Sequence, residues 1–107
     1  MTIKKIIEHV DKLKPNTFDF ETKLLWINEV SSKIQSGIFL ASSDEIKLFE
    51  GEDEEIVIPF AYISVYIYYI FAMIDMLRGE YEKYKLSSDA YNKEMSGYAK
   101  YIARGGK

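Results

Sequence analysis

A single histidine, His9, sits in "IIEHVD", with no second histidine and no cysteine anywhere in the 107 residues. A lone imidazole has no partner for holding a metal and no nucleophile to serve, so it reads as a surface residue of a helix. Without cysteine there is no thiolate nucleophile, no thiolate metal site and no disulfide framework. The densest run of ionisable groups is "EGEDEE" at residues 50–55. Carboxylates bind hard cations, but this run lacks the alternating ligands and closing glutamate of a calcium loop. It reads instead as a solvated turn whose charge keeps a strand edge from pairing with strangers. The six glycines form no phosphate-cradling pattern. Toward the end of the chain, Lys83, Lys85, Lys93, Lys100 and Arg104 interleave with Glu80, Glu82, Asp89 and Glu94. Such mixing marks a solvated helix face rather than a nucleic-acid track. These residues predict no catalytic centre, no cofactor and no metal, so the chain is expected to act by contact.

The elements that carry these residues follow from spacing. Thr2 is placed to cap a helix in which Ile3, Ile6, Ile7, Val10 and Leu13 recur at helical intervals, and "KPN" stops it near residue 13. The short apolar run behind "MTIKK" is too brief for a secretion signal. Asp19 caps a second helix over residues 20–36, with Glu21 in its first turn and Gly37 as its exit. Between residues 38 and 59 the period changes. "IKLF" and "EIVI", rich in strand formers, flank "EGEDE" and predict a β-hairpin over residues 46–58 with an acidic tip at Glu52, Asp53, Glu54 and Glu55. Two strands alone are marginal, so the hairpin should lean on the helices or on a neighbour. Helices over 60–78 and 80–103 complete the chain and pair antiparallel across Gly79, with Tyr84 and Tyr91 set against Ile67, Ile70 and Ile74. "RGGK" reads as a frayed end. The expected fold is mainly α: a single domain, a bundle of about four helices with one β-hairpin.

Residues 56–74, "IVIPFAYISVYIYYIFAMI", carry no charge. From Pro59 to the end of this run is about 24 Å of helix, short of the roughly 30 Å of a bilayer core. Tyr62, Tyr66, Tyr68 and Tyr69 fall in its middle, whereas tyrosines favour the interfaces of a membrane. A buried helix is therefore expected and no membrane. Projected at 100° per residue, one apolar face contains Tyr62, Ile63, Tyr66, Ile67, Ile70, Ile74 and Leu77, and a second strip contains Val65, Tyr69, Ala72 and Met76. That strip is either a contact with another copy or partner, or is covered by the helix over 20–36.

Charge is unevenly spread. Residues 44–75 carry one basic and eight acidic groups, whereas residues 78–107 carry seven basic and four acidic. Asymmetry of this kind serves contact between copies or pairing within one chain.

In the order of these segments the chain resembles the small head–tail connector, or adaptor, proteins of tailed bacteriophages and prophages. The resemblance lies in a first helix closing in "LKPN", then "KLLWINEV" (residues 23–30) and a central hairpin. It continues through "YYIFAMIDMLRGEYEKY" (residues 68–84) and "AYNKEMSGYAKYIAR" (residues 90–104). The acidic tip departs from the pattern. The resemblance implies a structural virion protein with no enzymatic activity, assembled in the host bacterial cytoplasm. It implies self-association into a ring that joins the portal protein to the next tail component, with DNA passing through the channel. Acidic residues lining that channel would keep DNA from adhering. The alternative, from a different class, is a small regulatory module, antitoxin- or inhibitor-like, that presents the Val65 strip to a protein target.

Overall fold

The computed structural model describes residues 1–106 and consists of four helices in sequence: α1 (Ile3–Leu13), α2 (Phe20–Gly37), α3 (Ser64–Leu77) and α4 (Tyr81–Ala103). A single 3-10 turn, Phe60–Tyr62, leads into α3. Thr2 caps α1 by accepting from the Lys5 amide at 3.2 Å, and Asp19 caps α2 by accepting from the Thr22 amide at 2.9 Å. Both caps sit where the sequence puts them.

α3 is the centre of the bundle and packs against α1, α2 and α4. Ile3, Ile6 and Val10 of α1, Ile27 and Val30 of α2, and Val65, Ile70 and Ile74 of α3 are fully buried in one core cluster. Each such side chain stabilises the fold by about 1.5–3 kcal/mol through burial. Phe60–Leu77 is long and apolar enough to cross a membrane by length and composition, with mean hydropathy 1.6. In this fold its apolar sides meet three helices instead.

The antiparallel pairing of α3 with α4 is visible in its contacts. Tyr62 meets Tyr98 at 5.1 Å and Tyr101 at 5.2 Å between ring centroids, Tyr69 meets Tyr91 at 5.1 Å, and Asp75 meets Ser87.

The expected β-hairpin over residues 46–58 is not present, and among the described residues there is no strand longer than an isolated bridge, Thr2 with Glu55. The partner groups are taken elsewhere. Asn28 accepts from the Phe49 amide at 2.7 Å and donates to its carbonyl at 3.0 Å; Gln35 accepts from the Lys47 amide at 2.9 Å and donates to its carbonyl at 2.8 Å. Two side-chain amides on one face of α2 thus supply the ladder that a second strand was expected to supply. The acidic stretch and the start of "EIVI" turn to the beginning of the chain: the Glu52 and Glu54 carbonyls accept from the Lys4 and Ile3 amides at 2.9 and 3.0 Å, and the Ile56 amide donates to the Met1 carbonyl at 2.9 Å.

Two helices, α3 and α4, end in the same way. After α3, Gly79 has φ +72° and the Glu80 amide returns to the Asp75 carbonyl; after α4, Gly105 has φ +88° and the Gly106 amide returns to the Tyr101 carbonyl. The expected frayed end is therefore a closed cap as far as Gly106, with Lys107 outside the described residues. α2 closes one residue later: Leu40, two past the cap residue Ile38, is left-handed at φ +59°, and the Ala41 amide returns to the Gln35 carbonyl. A left-handed leucine costs about 1–2 kcal/mol, and its side chain is 80% exposed, so little burial offsets that cost. Leu40→Gly should raise stability by about 0.5–1 kcal/mol after the entropy of glycine is counted, read as a higher thermal midpoint. A lower midpoint would mean that the Leu40 side chain contributes packing at this turn.

Candidate interaction surfaces

The acidic residues are arranged by backbone, not by a hairpin. Glu54 turns its carboxylate back onto the Glu50 and Gly51 amides at 2.6 and 2.7 Å, closing a tight turn, and these donors hold its carboxyl below the usual carboxylate range. Glu55 bridges Thr2 through its backbone. Glu52 and Asp53 make no side-chain hydrogen bond or ion pair, and their carboxylates face solvent above the start of α1. Negative charge there also favours the positive end of the α1 dipole. The four expected tip residues thus divide into a turn clasp, Glu54, a bridging residue, Glu55, and two free charges.

Of the second apolar strip of α3, Val65 and Ala72 are buried at 0% and 5% exposure and Tyr69 is half-buried, while Met76 is 37% exposed. α4 lies along this strip: Tyr84 and Tyr91 border a cavity of about 290 Å³ together with Tyr69, Ala72 and Met76. Tyr91 also packs against the core cluster that contains Ile67, Ile70 and Ile74. From α2, Glu29 accepts the Tyr69 hydroxyl at 2.8 Å and the Lys33 ammonium sits 5.0 Å from the Tyr69 ring centre. The strip is thereby mostly covered within the chain, and Met76 is its accessible end.

Two partly buried ionic ties were not singled out from the sequence. Lys23, 4% exposed, donates to both carboxylate oxygens of Asp11 at 2.9 and 3.1 Å and to the Asn16 side chain at 3.2 Å. Asn16 in turn bonds Asp11 and the Phe18 amide, so "KPN" and Lys23 together fix the corner between α1 and α2. The second tie is Asp75, fully buried, which accepts from Lys14 on one oxygen and from Ser87 at 3.0 Å on the other. It fastens the end of α1, the end of α3 and the start of α4 to each other. The sequence signal for each was a lysine at the edge of an apolar helix face, a pattern that solvent-facing lysines share.

Both oxygens of Asp75 are engaged, so it holds the fold together. No group of three His, Cys, Asp or Glu residues among the described residues is arranged to hold a metal ion, and His9 is exposed on α1. What the surface offers instead is apolar area. Phe39, Leu40, Leu48, Val57 and Phe60 are between 45% and 81% exposed and all lie in residues 39–60. Compared with protein-family models, curated proteins and solved structures, the chain gives no significant match.

Proposed function

We propose that this chain is a non-enzymatic structural protein that works by self-association, as a ring-forming connector between the portal and tail of a phage or prophage particle. In this reading it has no membrane phase and assembles in the host cytoplasm. The observation that carries it is the surface of residues 39–60, where five large apolar side chains stand exposed beside seven carboxylates in residues 44–55. A monomer that has no use for such a patch loses solubility by keeping it. The motif order "LKPN", "KLLWINEV" and "AMIDMLRGEY" supports the connector over other self-associating proteins. The opposite charge of the middle and end of the chain supports contact between unlike faces of successive copies.

The test is the mass of detergent-free protein by light scattering over a concentration series. A discrete oligomer of many copies is expected. A monomer at every concentration overturns self-association and leaves the regulatory module, with the same surface turned to a foreign target. Recovery only in detergent overturns both.

A further inference from the structure

The cavity of about 290 Å³ beside the second strip of α3 is built by three helices. α3 contributes Tyr69, Met73 and Met76, α4 contributes Tyr84 and Tyr91, and α2 reaches it with Lys33. Its apolar lining is thus aromatic rings and thioethers, two groups that pack well against a further flat ring. A cavity of about 150 Å³ holds one benzene ring, so this one has room for a fused pair. A more open hollow of about 500 Å³ adjoins it and shares Lys33, Tyr91 and Asn92 with it. Those three residues stand at the mouth between the two spaces, whereas Tyr84, Ser88 and Met76 line the cavity alone.

Charge selects the kind of molecule. Among the described residues Lys33 is the one charged side chain that lines either space. Its ammonium lies 5.0 Å from the Tyr69 ring centre and 5.9 Å from that of Tyr91, and no ion pair engages it. Ring faces hold a cation in place but carry no net charge to neutralise it. Glu29, one turn earlier on α2, accepts the Tyr69 hydroxyl at 2.8 Å and does not line the cavity. On the α4 side, the Tyr84 and Ser88 hydroxyls and the Asn92 amide are donors with no hydrogen-bond partner within the described residues. An unpaired ammonium beside free donors, at the mouth of an aromatic cavity, matches a carboxylate borne on a flat apolar body.

We infer that this cavity binds an aromatic carboxylate, its ring system lying among Tyr84, Tyr91 and Met76 and its carboxylate meeting Lys33 and Asn92. The inference goes beyond self-association: the site is formed within one chain and uses none of residues 39–60.

Naphthalene-2-carboxylate, titrated into the intact chain and followed by calorimetry, tests it, with naphthalene-2-carboxamide as the neutral counterpart. The carboxylate should saturate the wild type below about 1 mM and bind at least about tenfold more tightly than the carboxamide. Lys33→Met, which keeps the apolar stem of an exposed side chain, should lose that preference, and Lys33→Arg should keep it. Ser88→Leu fills the cavity from α4 and should abolish the binding of both molecules. Helix content by circular dichroism shows that each variant is folded. Failure of the carboxylate to saturate the wild type overturns the site. Equal binding of the carboxylate by Lys33→Met overturns the role of the ammonium and with it the choice of an anion. Unchanged binding by Ser88→Leu places the molecule elsewhere and overturns the cavity. None of these results bears on the mass of the protein, so this inference and the proposed self-association fail separately.

Discussion

Lys14→Met should destabilise the protein by about 3–5 kcal/mol, a third or more of the stability of a typical domain. The change leaves the Asp75 carboxylate at 0% exposure with the Ser87 hydroxyl as its remaining side-chain partner. The reverse truncation is milder. Lys14 keeps about one fifth of its side chain in solvent, so in Asp75→Leu the ammonium can swing out and recover its hydration. The double variant Lys14→Met with Asp75→Leu removes both charges and should regain most of the loss, because a well-packed apolar pair often equals a buried ion pair. Urea unfolding at constant m checks the order: Lys14→Met least stable, Asp75→Leu intermediate, the double variant close to wild type. If the double variant is as unstable as Lys14→Met, the tie acts through more than its charges, for example through the 5.1 Å contact of the ammonium with the Phe71 ring.

The second large effect is alkaline. Burial pushes the Tyr66 hydroxyl up to about 12, although the Ser31 hydroxyl at 2.7 Å favours its ionised form. Burial also raises Tyr69, with Glu29 adding to it, and Tyr91 and Tyr98 move the same way. The neutral form is the one the fold prefers. The stability is thus fully present below the unfolded value near 10 and is lost as pH rises toward 12. Tyr66 alone accounts for about 3 kcal/mol of that loss, at about 1.4 kcal/mol per unit. Tyrosinate absorbance and circular dichroism, followed together, should show these four ionising only as the helices melt. Tyr66→Phe gives the sign test. At neutral pH it costs about 1–2 kcal/mol, since the buried Ser31 hydroxyl loses its partner. Its further loss between pH 10 and 12 should nonetheless be smaller than that of wild type. A steeper alkaline loss in the variant would contradict this account.

The helices were legible because their ends announce themselves. Thr2, Asp19 and Gly79 are capping residues at the edge of periodic apolar runs, and each performs that role in the structure. The doubly apolar character of α3 was legible too, as a demand for partners on more than one side. Which helix answers which side was not, because Tyr84 and Tyr91 of α4 fit either flank of α3 by size and polarity. The hairpin failed for a different reason. Strand propensity in "IKLF" and "EIVI" measures a taste for extended backbone, and residues 47–49 satisfy it against Asn28 and Gln35. Nothing local in the sequence distinguishes a ladder made by another strand from one made by side-chain amides. For the candidate surface, charge asymmetry was visible early; which apolar side chains stay exposed was not, since that depends on how residues 39–60 lie against α1 and α2.

The attachment of the acidic segment to α1 also bears on how the chain breathes. Amides of Ile3 and Lys4 end on carbonyls of Glu54 and Glu52, and the Ile56 amide ends on the Met1 carbonyl. The beginning of α1 and the stretch before α3 therefore cannot open separately. They should exchange their amide hydrogens together, as one cooperative unit. Whatever fixes the acidic stretch from outside protects the first helix from fraying, and whatever frays the first helix sets the acidic stretch free to reach further.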